Sequence, residues 1–447
     1  MRSSTVQSSL LTKKLYANHA RPGQCNVPVL FCQQFRGKVS RNEMIKCQGV
    51  FMIRKWVGGL LFLCLFCIAG CADGKTEKKP AAEYGKAMSE EKYETAYIEM
   101  TQEEKKKAGE RITEVMEACR GIYETAEKGS ADDVSLKEDV VHQMVEAAAS
   151  EGRAVTCGNY DYNLQNYKDV DLALKEAGQG EKASAEYYKI TASGTFQYYG
   201  LEAEGKELIV TYVSAVFQED MRTEIRQMEK FQVYDWEYTD KGWLIWEKAL
   251  SKNQEMDMHS FCRILPLDEE CRKMGNQYVL PVSYFCNNLF LADWDQTSMD
   301  HIEFNDLYEY LYAMKYGEKL DEASYQEGIP KGEFEGVIRT YFDISVEELE
   351  RIAGYDAGTG SYPWEAVGPW NRVQQIQPFP EVVKCTDHGD GTVTLEVEAI
   401  LVEEGLDCAF RHEVTMKKTD QGWMYLGNRV DRENAINIPA YRPRSEY

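Results

Sequence analysis

The chain contains few of the residues and motifs on which enzymes commonly depend. It has only six histidines in 447 residues. It has no His-Glu-x-x-His zinc motif, no Gly-x-Ser-x-Gly nucleophile turn and no phosphate-binding loop, and residues 72–447 contain no Cys-x-x-Cys pair. We therefore predict no catalytic residue, no resident metal and no cofactor.

Two clusters contain metal-ligating side chains but lack the spacing of a metal site. The acidic cluster around Trp294 has Ser298 and Phe304 where a calcium loop needs glycine and glutamate. The second cluster lacks the close cysteine pair of small zinc sites. It consists of His259, Cys262, Cys271 and Cys286. Solvated carboxylates and buried cysteines are the favoured interpretations.

Cysteines are sparse after residue 71, where seven occur without a dense framework. Cys262 and Cys271 enclose a short loop and could form a disulfide if the compartment oxidises thiols. Isolated buried thiols are the favoured interpretation for most of the others.

Positive charge is scarce in the same part of the chain. Residues 1–71 hold ten of the 51 basic residues and one of the 74 acidic residues, so residues 72–447 carry a formal charge of −32. A surface of this sign repels phosphate backbones and anionic lipid headgroups. The composition therefore argues against nucleic-acid binding and against membrane attachment through a basic patch.

The strongest pattern in the chain lies at residues 54–71. Arg54 and Lys55 precede an apolar run at 56–70, which ends at Cys71. The run is shorter than the roughly 20 residues of a spanning helix, and its order of charged, apolar and small residues is that of a secretory signal. The last four residues, Ile-Ala-Gly-Cys, resemble the lipobox of bacterial lipoproteins. This resemblance implies cleavage before Cys71, acylation of its sulfur and attachment to the outer face of the cytoplasmic membrane.

The position of this signal predicts the roles of the segments on either side of it. Residues 52–70 form a complete signal peptide if translation starts at Met52, so residues 1–51 are either an overextended N-terminus or a long charged region. Residues 71–100 comprise the lipidated cysteine and a polar, charged stretch with little to bury, which predicts a tether.

The rest of the chain predicts two modules of the α+β class. Residues 101–255 and 301–432 each place helical patterns before strands, and residues 256–300 connect them. In the first module we expect helices capped by Thr101 and Ser135, and a strand at 187–199. We expect the helices of each module to pack on one face of a curved antiparallel sheet. Residues 433–447 are predicted to form a polar C-terminal tail.

The ends of the two modules also share a hairpin pattern. Thr-Asp-Lys-Gly-Trp at 239–243 matches Thr-Asp-Gln-Gly-Trp at 419–423. An Asp-x-Gly turn suits a tight hairpin, and the shared helix-then-strand order favours an internal duplication over coincidence. This order resembles the NTF2-like and cystatin-like folds, and the whole chain resembles uncharacterised lipoproteins of clostridial-type Gram-positive bacteria. Neither resemblance supplies catalytic residues, and a fold does not determine a function.

The loop at 355–370 is the candidate ligand site. Glycines and prolines exclude it from regular structure, so its aromatic rings are either buried or available to a ligand, and aromatic faces beside a carboxylate suit sugars or peptides. The candidate residues are Tyr355, Asp356, Tyr362, Trp364 and Trp370. The alternative, favoured because tryptophan mostly packs, is that the rings cap the core of the second module.

These patterns predict a lipid-anchored extracytoplasmic protein with a non-catalytic role. Its partners would be the membrane, through the lipid on Cys71, and an envelope protein, peptide or glycan. The alternative is a surface hydrolase that uses carboxylates in a concave sheet.

Overall fold

The computed structural model describes most of the chain after residue 95. The described ranges are 96–130, 133–157, 162–248, 258–367, 377–433 and 435–444. Helices and strands occur in separate runs, which confirms the predicted α+β class. All of the described residues belong to one compact unit.

The first half contains three helices and eleven strands within the described residues. In chain order they are β1 (Ala96–Tyr97), α1 (Gln102–Thr125), β2 (Gly129–Ser130), β3 (Asp133–Val134), α2 (Glu138–Ala149), β4 (Val155–Cys157), α3 (Lys168–Gly178), β5 (Ala183–Ile190), β6 (Phe196–Glu204), β7 (Glu207–Phe217), β8 (Thr223–Gln232), β9 (Asp235–Tyr238), β10 (Trp243–Lys248) and β11 (Met258–Arg263).

A six-stranded sheet is the centre of the first half. Its order is β1-β8-β7-β6-β5-β4, and all neighbours are antiparallel except β4 and β5. The strand expected at 187–199 is wrong, because β5 and β6 are separate strands joined by a tight turn. Gly194 lies in that turn at a φ of 71°, which glycine adopts without steric cost.

Both faces of this sheet are covered. Neighbouring residues on a strand point to opposite faces, so Tyr188 packs against α1 and α2 while Tyr187 packs against α3. A three-stranded sheet, ordered β11-β10-β9, contributes Leu244 and Trp246 to the second of these cores. Helices on a single face were expected, and the sheet instead lies between two layers.

The second half repeats helices before strands. In chain order it contains α4 (Glu269–Met274), β12 (Trp294–Asp295), α5 (Phe304–Tyr316), β13 (Ile329–Pro330), α6 (Lys331–Tyr341), α7 (Val346–Ile352), β14 (Ser361–Tyr362), β15 (Phe379–Asp387), β16 (Thr392–Leu401), β17 (Leu406–Thr419) and β18 (Gly422–Val430). The main sheet is antiparallel with the order β12-β18-β17-β16-β15. Its core is shared with α5, α6 and α7.

The predicted connector at 256–300 is divided between the halves. β11 pairs with β10 over the whole of its length and so extends the first half. From Cys271 onward the chain contributes buried side chains to the second core. The matched hairpins lie in different settings, because β9 and β10 belong to the three-stranded sheet whereas β17 and β18 belong to the five-stranded one. The internal duplication stays a prediction.

Apolar and charged contacts join the two halves. Trp243, Ile245 and Phe261 form a small core with Ile400 from β16. Beside it, Arg263 Nε lies 3.3 Å from Glu381 Oε1, and the indole N–H of Trp243 donates to the same carboxylate over 3.3 Å.

The C-terminal segment packs onto α5. Arg444 is only 2 % exposed, and its guanidinium donates to Glu309 Oε1 over 2.9 Å. The hydroxyl of Tyr441 donates to Asp306 on the same helix. Residues predicted as a polar tail therefore take part in the fold as far as Arg444.

Within the described ranges, no helix is both long enough and apolar enough to cross a bilayer.

Candidate functional site

The candidate loop is held in place by a two-strand pairing. Tyr362 of β14 pairs with Ile329 of β13, directly before α6. The Tyr362 ring is fully buried, and its hydroxyl donates to Glu335 Oε1 over 3.0 Å. At the tip of the loop, the Asp356 carboxylate accepts the backbone N–H of Gly358 over 2.7 Å. The carboxylate thus stabilises the turn, and the Tyr362 ring is part of the core.

Tyr362 belongs to a continuous run of six aromatic rings, which we call the aromatic run. Both ends of the run are at least partly exposed, and its middle is buried. The ring centroids are 5.2 Å apart for Tyr355–Tyr362, 4.2 Å for Tyr362–Phe334, 5.2 Å for Phe334–Tyr308, 6.0 Å for Tyr308–Tyr312 and 4.7 Å for Tyr312–Tyr316. Offset and tilted pairs at these distances stabilise the fold beyond their buried area.

Helix α5 brings the run to the surface. Tyr308, Tyr312 and Tyr316 are four residues apart, so they occupy one face of the helix. Tyr308 is buried, Tyr312 is half-buried and Tyr316 is 49 % exposed. The C-terminal end of α5 therefore presents two tyrosine rings to solvent above a buried aromatic base.

A second segment adds a phenol and a carboxylate beside these rings. Tyr325 ends a short 3₁₀ turn (Glu322–Tyr325), and its hydroxyl donates to Glu333 at the start of α6. Trp364 packs edge-on against Tyr325 at 6.4 Å between ring centroids. Burial raises the pKa of Tyr325, and the hydrogen bond to Glu333 raises it further. The phenol therefore stays protonated and keeps donating to the carboxylate.

Two buried donors near Tyr325 have no hydrogen-bond partner among the described residues. They are the hydroxyl of Tyr308, which is fully buried, and the indole N–H of Trp364, whose residue is 8 % exposed. A buried donor without an acceptor costs about 1–3 kcal/mol, so such groups are rare and point to a water or a ligand. We call the group formed by these two residues with Tyr312, Tyr316, Tyr325 and Glu333 the aromatic site.

The residues predicted from the sequence fall into three groups. Tyr362 and Trp364 are buried, and Tyr355 is half-buried beneath the ammonium group of Lys331, which lies 4.8 Å from its ring centroid. Asp356 is exposed at the loop tip. Trp370 and the lipidation residue Cys71 lie outside the described residues. The prediction of a ligand at these positions stays a prediction.

Sequence reasoning missed the exposed half of the aromatic site. Tyr312, Tyr316, Tyr325 and Glu333 come from α5, the 3₁₀ turn and α6, and not from the candidate loop. A signal for part of this set was available, since tyrosines four residues apart on a predicted helix must share a face. The proximity of Tyr325 to Tyr308 and Tyr312 of α5 has no counterpart in the sequence pattern.

The hydrolase alternative requires a histidine or carboxylate pair in a sheet hollow. His412 lies in the second sheet, where the Tyr284 hydroxyl is 2.9 Å from Nε2 and Asn428 Oδ1 is 2.8 Å from Nδ1. These distances fit a neutral ring that accepts from Tyr284 and donates to Asn428. Burial lowers the pKa of His412 to about 4, and neither partner is an acid. His412 is therefore a core residue in which both ring nitrogens have hydrogen-bond partners.

No metal site accompanies the aromatic site in the part of the chain that the structure describes. Groups of three or more histidine, cysteine, aspartate or glutamate side chains able to hold an ion are absent there. The fold divides the cysteine cluster that was noted in the sequence. Cys262 lies in the core of the first half and Cys271 in that of the second.

Comparison with known proteins adds a family to this description. No curated protein matches the chain, and no solved structure matches it either. Residues 105–444 match a family of unknown function (DUF6070). The match begins in α1, ends at the buried Arg444 and includes every residue of the aromatic site. The chain belongs to this family of unknown function, DUF6070.

Proposed function

We propose that the protein is a lipid-anchored extracytoplasmic binding protein, held at the outer face of the bacterial cytoplasmic membrane by acyl chains on Cys71. The observation that carries this proposal is the Ile-Ala-Gly-Cys sequence at the end of the short apolar run. One acyl chain binds a membrane only weakly, whereas two chains give a stable anchor, as the diacylated cysteine of lipoproteins does.

The anchor is tested by fractionating cells that produce the wild-type chain or a cysteine variant. We expect the wild type in the membrane fraction and a loss of processing in Cys71→Ser. Cys64→Ser is the matched control, because it removes a cysteine of the same apolar run outside the cleavage site. Identical processing and distribution of all three proteins would contradict the anchor.

We further propose that the ligand is an uncharged glycan bound at the aromatic site. The half-buried ring of Tyr312 and the exposed ring of Tyr316 offer flat apolar faces, and the Glu333 carboxylate can accept a hydrogen bond from a sugar hydroxyl. The formal charge of −32 on residues 72–447 disfavours polyanionic glycans.

Calorimetric titration with an N-acetylglucosamine hexamer tests this assignment. We expect Tyr316→Ala and Tyr325→Ala each to weaken binding about fivefold or more, the equivalent of about 1 kcal/mol for a lost aromatic contact. Tyr234→Ala is the matched control, since Tyr234 has a similar exposure of 51 % in the first half. Binding that is equal in all variants, or that is seen with peptides and not with the hexamer, would refute the glycan assignment.

A further inference from the structure

Helix α4 packs against β15, an edge strand of the second sheet. Asp268 begins the helix by accepting the backbone N–H groups of Glu270 and Cys271. Gly275, which directly follows the helix, passes close to Val382 of β15. A Cβ atom at Gly275 would lie 3.3 Å from Val382 Cγ2, so glycine permits this close approach.

The same packing brings two cysteines together. Cys271 lies one helical turn before Gly275, and Cys385 lies three residues beyond Val382. The two thiols lie close enough for each to affect the pKa of the other. Cys271 is 4 % exposed, whereas Cys385 is partly exposed at the edge of the core. The sulfur of Cys385 is therefore the one that an external reagent reaches first.

The pairing considered from the sequence is different. Cys262 and Cys271 are close in the chain but lie in different cores. The Cys262 side chain lies beside Tyr187, on the sheet of the first half. A disulfide needs Cα atoms within about 7 Å, which favours Cys385, because its strand packs against the helix that carries Cys271.

We propose that Cys271 and Cys385 are a disulfide site, oxidised by exchange with an external disulfide in the extracytoplasmic compartment. The Cys385 thiolate attacks one sulfur of the external disulfide and releases one thiol. The Cys271 thiolate then attacks the Cys385 sulfur and releases the second thiol. Two protein thiols are oxidised, one external disulfide is reduced, and the two protons pass to the released thiolates.

The extracytoplasmic location in this proposal rests on the proposed function, whereas the packing of α4 on β15 is independent of it. Burial raises the pKa of both thiols, so few thiolates form at neutral pH. Oxidation is therefore slow without a catalyst such as a dithiol oxidoreductase.

The bond would join α4 to the edge of the sheet across a long loop. Residues 272–384 lie between the two cysteines and include α5, α6 and α7. Closing a loop of this length removes much conformational entropy from the unfolded chain. We expect the melting temperature to rise on the order of 5 °C on oxidation.

The first experiment oxidises the full chain, purified from membranes in detergent, with oxidised glutathione and a dithiol oxidoreductase as the catalyst. After alkylation and digestion, mass spectrometry should detect a Cys271–Cys385 cross-linked peptide. The melting temperature should rise, and dithiothreitol should reverse the rise. Cys385→Ser should abolish both effects, and Cys262→Ser, the matched control, should abolish neither. A Cys262–Cys271 peptide, or two free thiols after oxidation, would overturn the proposed pair.

The second experiment alkylates intact cells before lysis and maps the same peptides. We expect the cross-linked peptide in the membrane fraction of untreated cells. Free thiols in cells, with a bond that forms only in purified protein, would overturn the oxidation in the compartment. If the thiols are free in cells but the chain is still lipidated and membrane-bound, the disulfide proposal fails and the proposed anchor stands.

Discussion

Burial sets the charge of individual side chains, and His412 is the clearest example. The folded protein keeps this ring neutral down to a pKa of about 4, whereas an ordinary histidine has a pKa of 6.5. Between these values the unfolded chain takes up a proton that the folded chain does not. The free energy of unfolding should therefore fall as the pH drops through this window, by about 3 kcal/mol in total.

Urea unfolding at pH 7 and pH 4.5 measures this effect. The loss on acidification should be smaller in His412→Asn than in the wild type, because the variant has no group to protonate. His388→Asn is the control, since His388 is exposed and should leave the wild-type loss unchanged. An equal loss in all three proteins would rule out His412 as the source.

Helix α1 shows how local sequence begins an element. Its N-cap, Thr101, accepts the backbone N–H of Glu104 over 3.2 Å, and the Glu104 carboxylate accepts the backbone N–H of Thr101 over 2.8 Å. The cap at Thr101 confirms the prediction from the sequence. Helix α2 differs, because it begins at Glu138 after Lys137, and Lys137 makes no side-chain capping bond.

The two positions make a matched pair of variants. Thr101→Ala should lower the free energy of unfolding by about 1 kcal/mol, because the helix loses its cap. Ser135→Ala should change it by less than about 0.5 kcal/mol, since Ser135 precedes the helix and caps nothing. Denaturant unfolding of both variants measures the difference. A comparable loss in Ser135→Ala would contradict the observed start of α2.

Contacts outside the helix explain why Ser135 does not cap α2, contrary to the prediction from the sequence. The backbone N–H of Ser135 donates to Lys128, and that of Leu136 donates to Ala192, so both residues are held by neighbouring segments before α2 begins.

The sequence pattern predicts the fold class, the helices and most strands because these depend on local periodicity and turn residues. It could not give the packing of the three-stranded layer on the first sheet, which joins residues far apart in the chain. Nor could it give the proximity of Tyr325 to α5, which depends on the path of the irregular segment between them.

At the scale of the whole molecule, a buried ion pair joins the two halves. Glu381 and Arg263 are both mostly buried, and burial raises the pKa of Glu381 although Arg263 opposes the shift. Removing the charge of Glu381 takes the strongest favourable charge away from the mostly buried Arg263, although Asp407 and Glu398 remain nearby. We expect Glu381→Gln to lower the free energy of unfolding by about 3 kcal/mol.

A second ion pair on the same strand provides the control. Lys384 pairs with Glu396, but both side chains are largely exposed, so Lys384→Gln should cost less than about 1 kcal/mol. Chemical unfolding of the two variants gives the comparison. Similar losses would show that the junction between the halves contributes no more than a surface pair.

The proposed anchor is the central claim about the whole molecule, because it determines where the protein is located and which ligands it can bind. The most direct measurement is the intact mass of the protein extracted from membranes, beside that of the Cys71→Ser variant. We predict a mature chain that begins at a diacylated Cys71 and is lost in the variant. An extracted chain that retains residues before Cys71 and carries no lipid would contradict the anchor, and with it the proposed location.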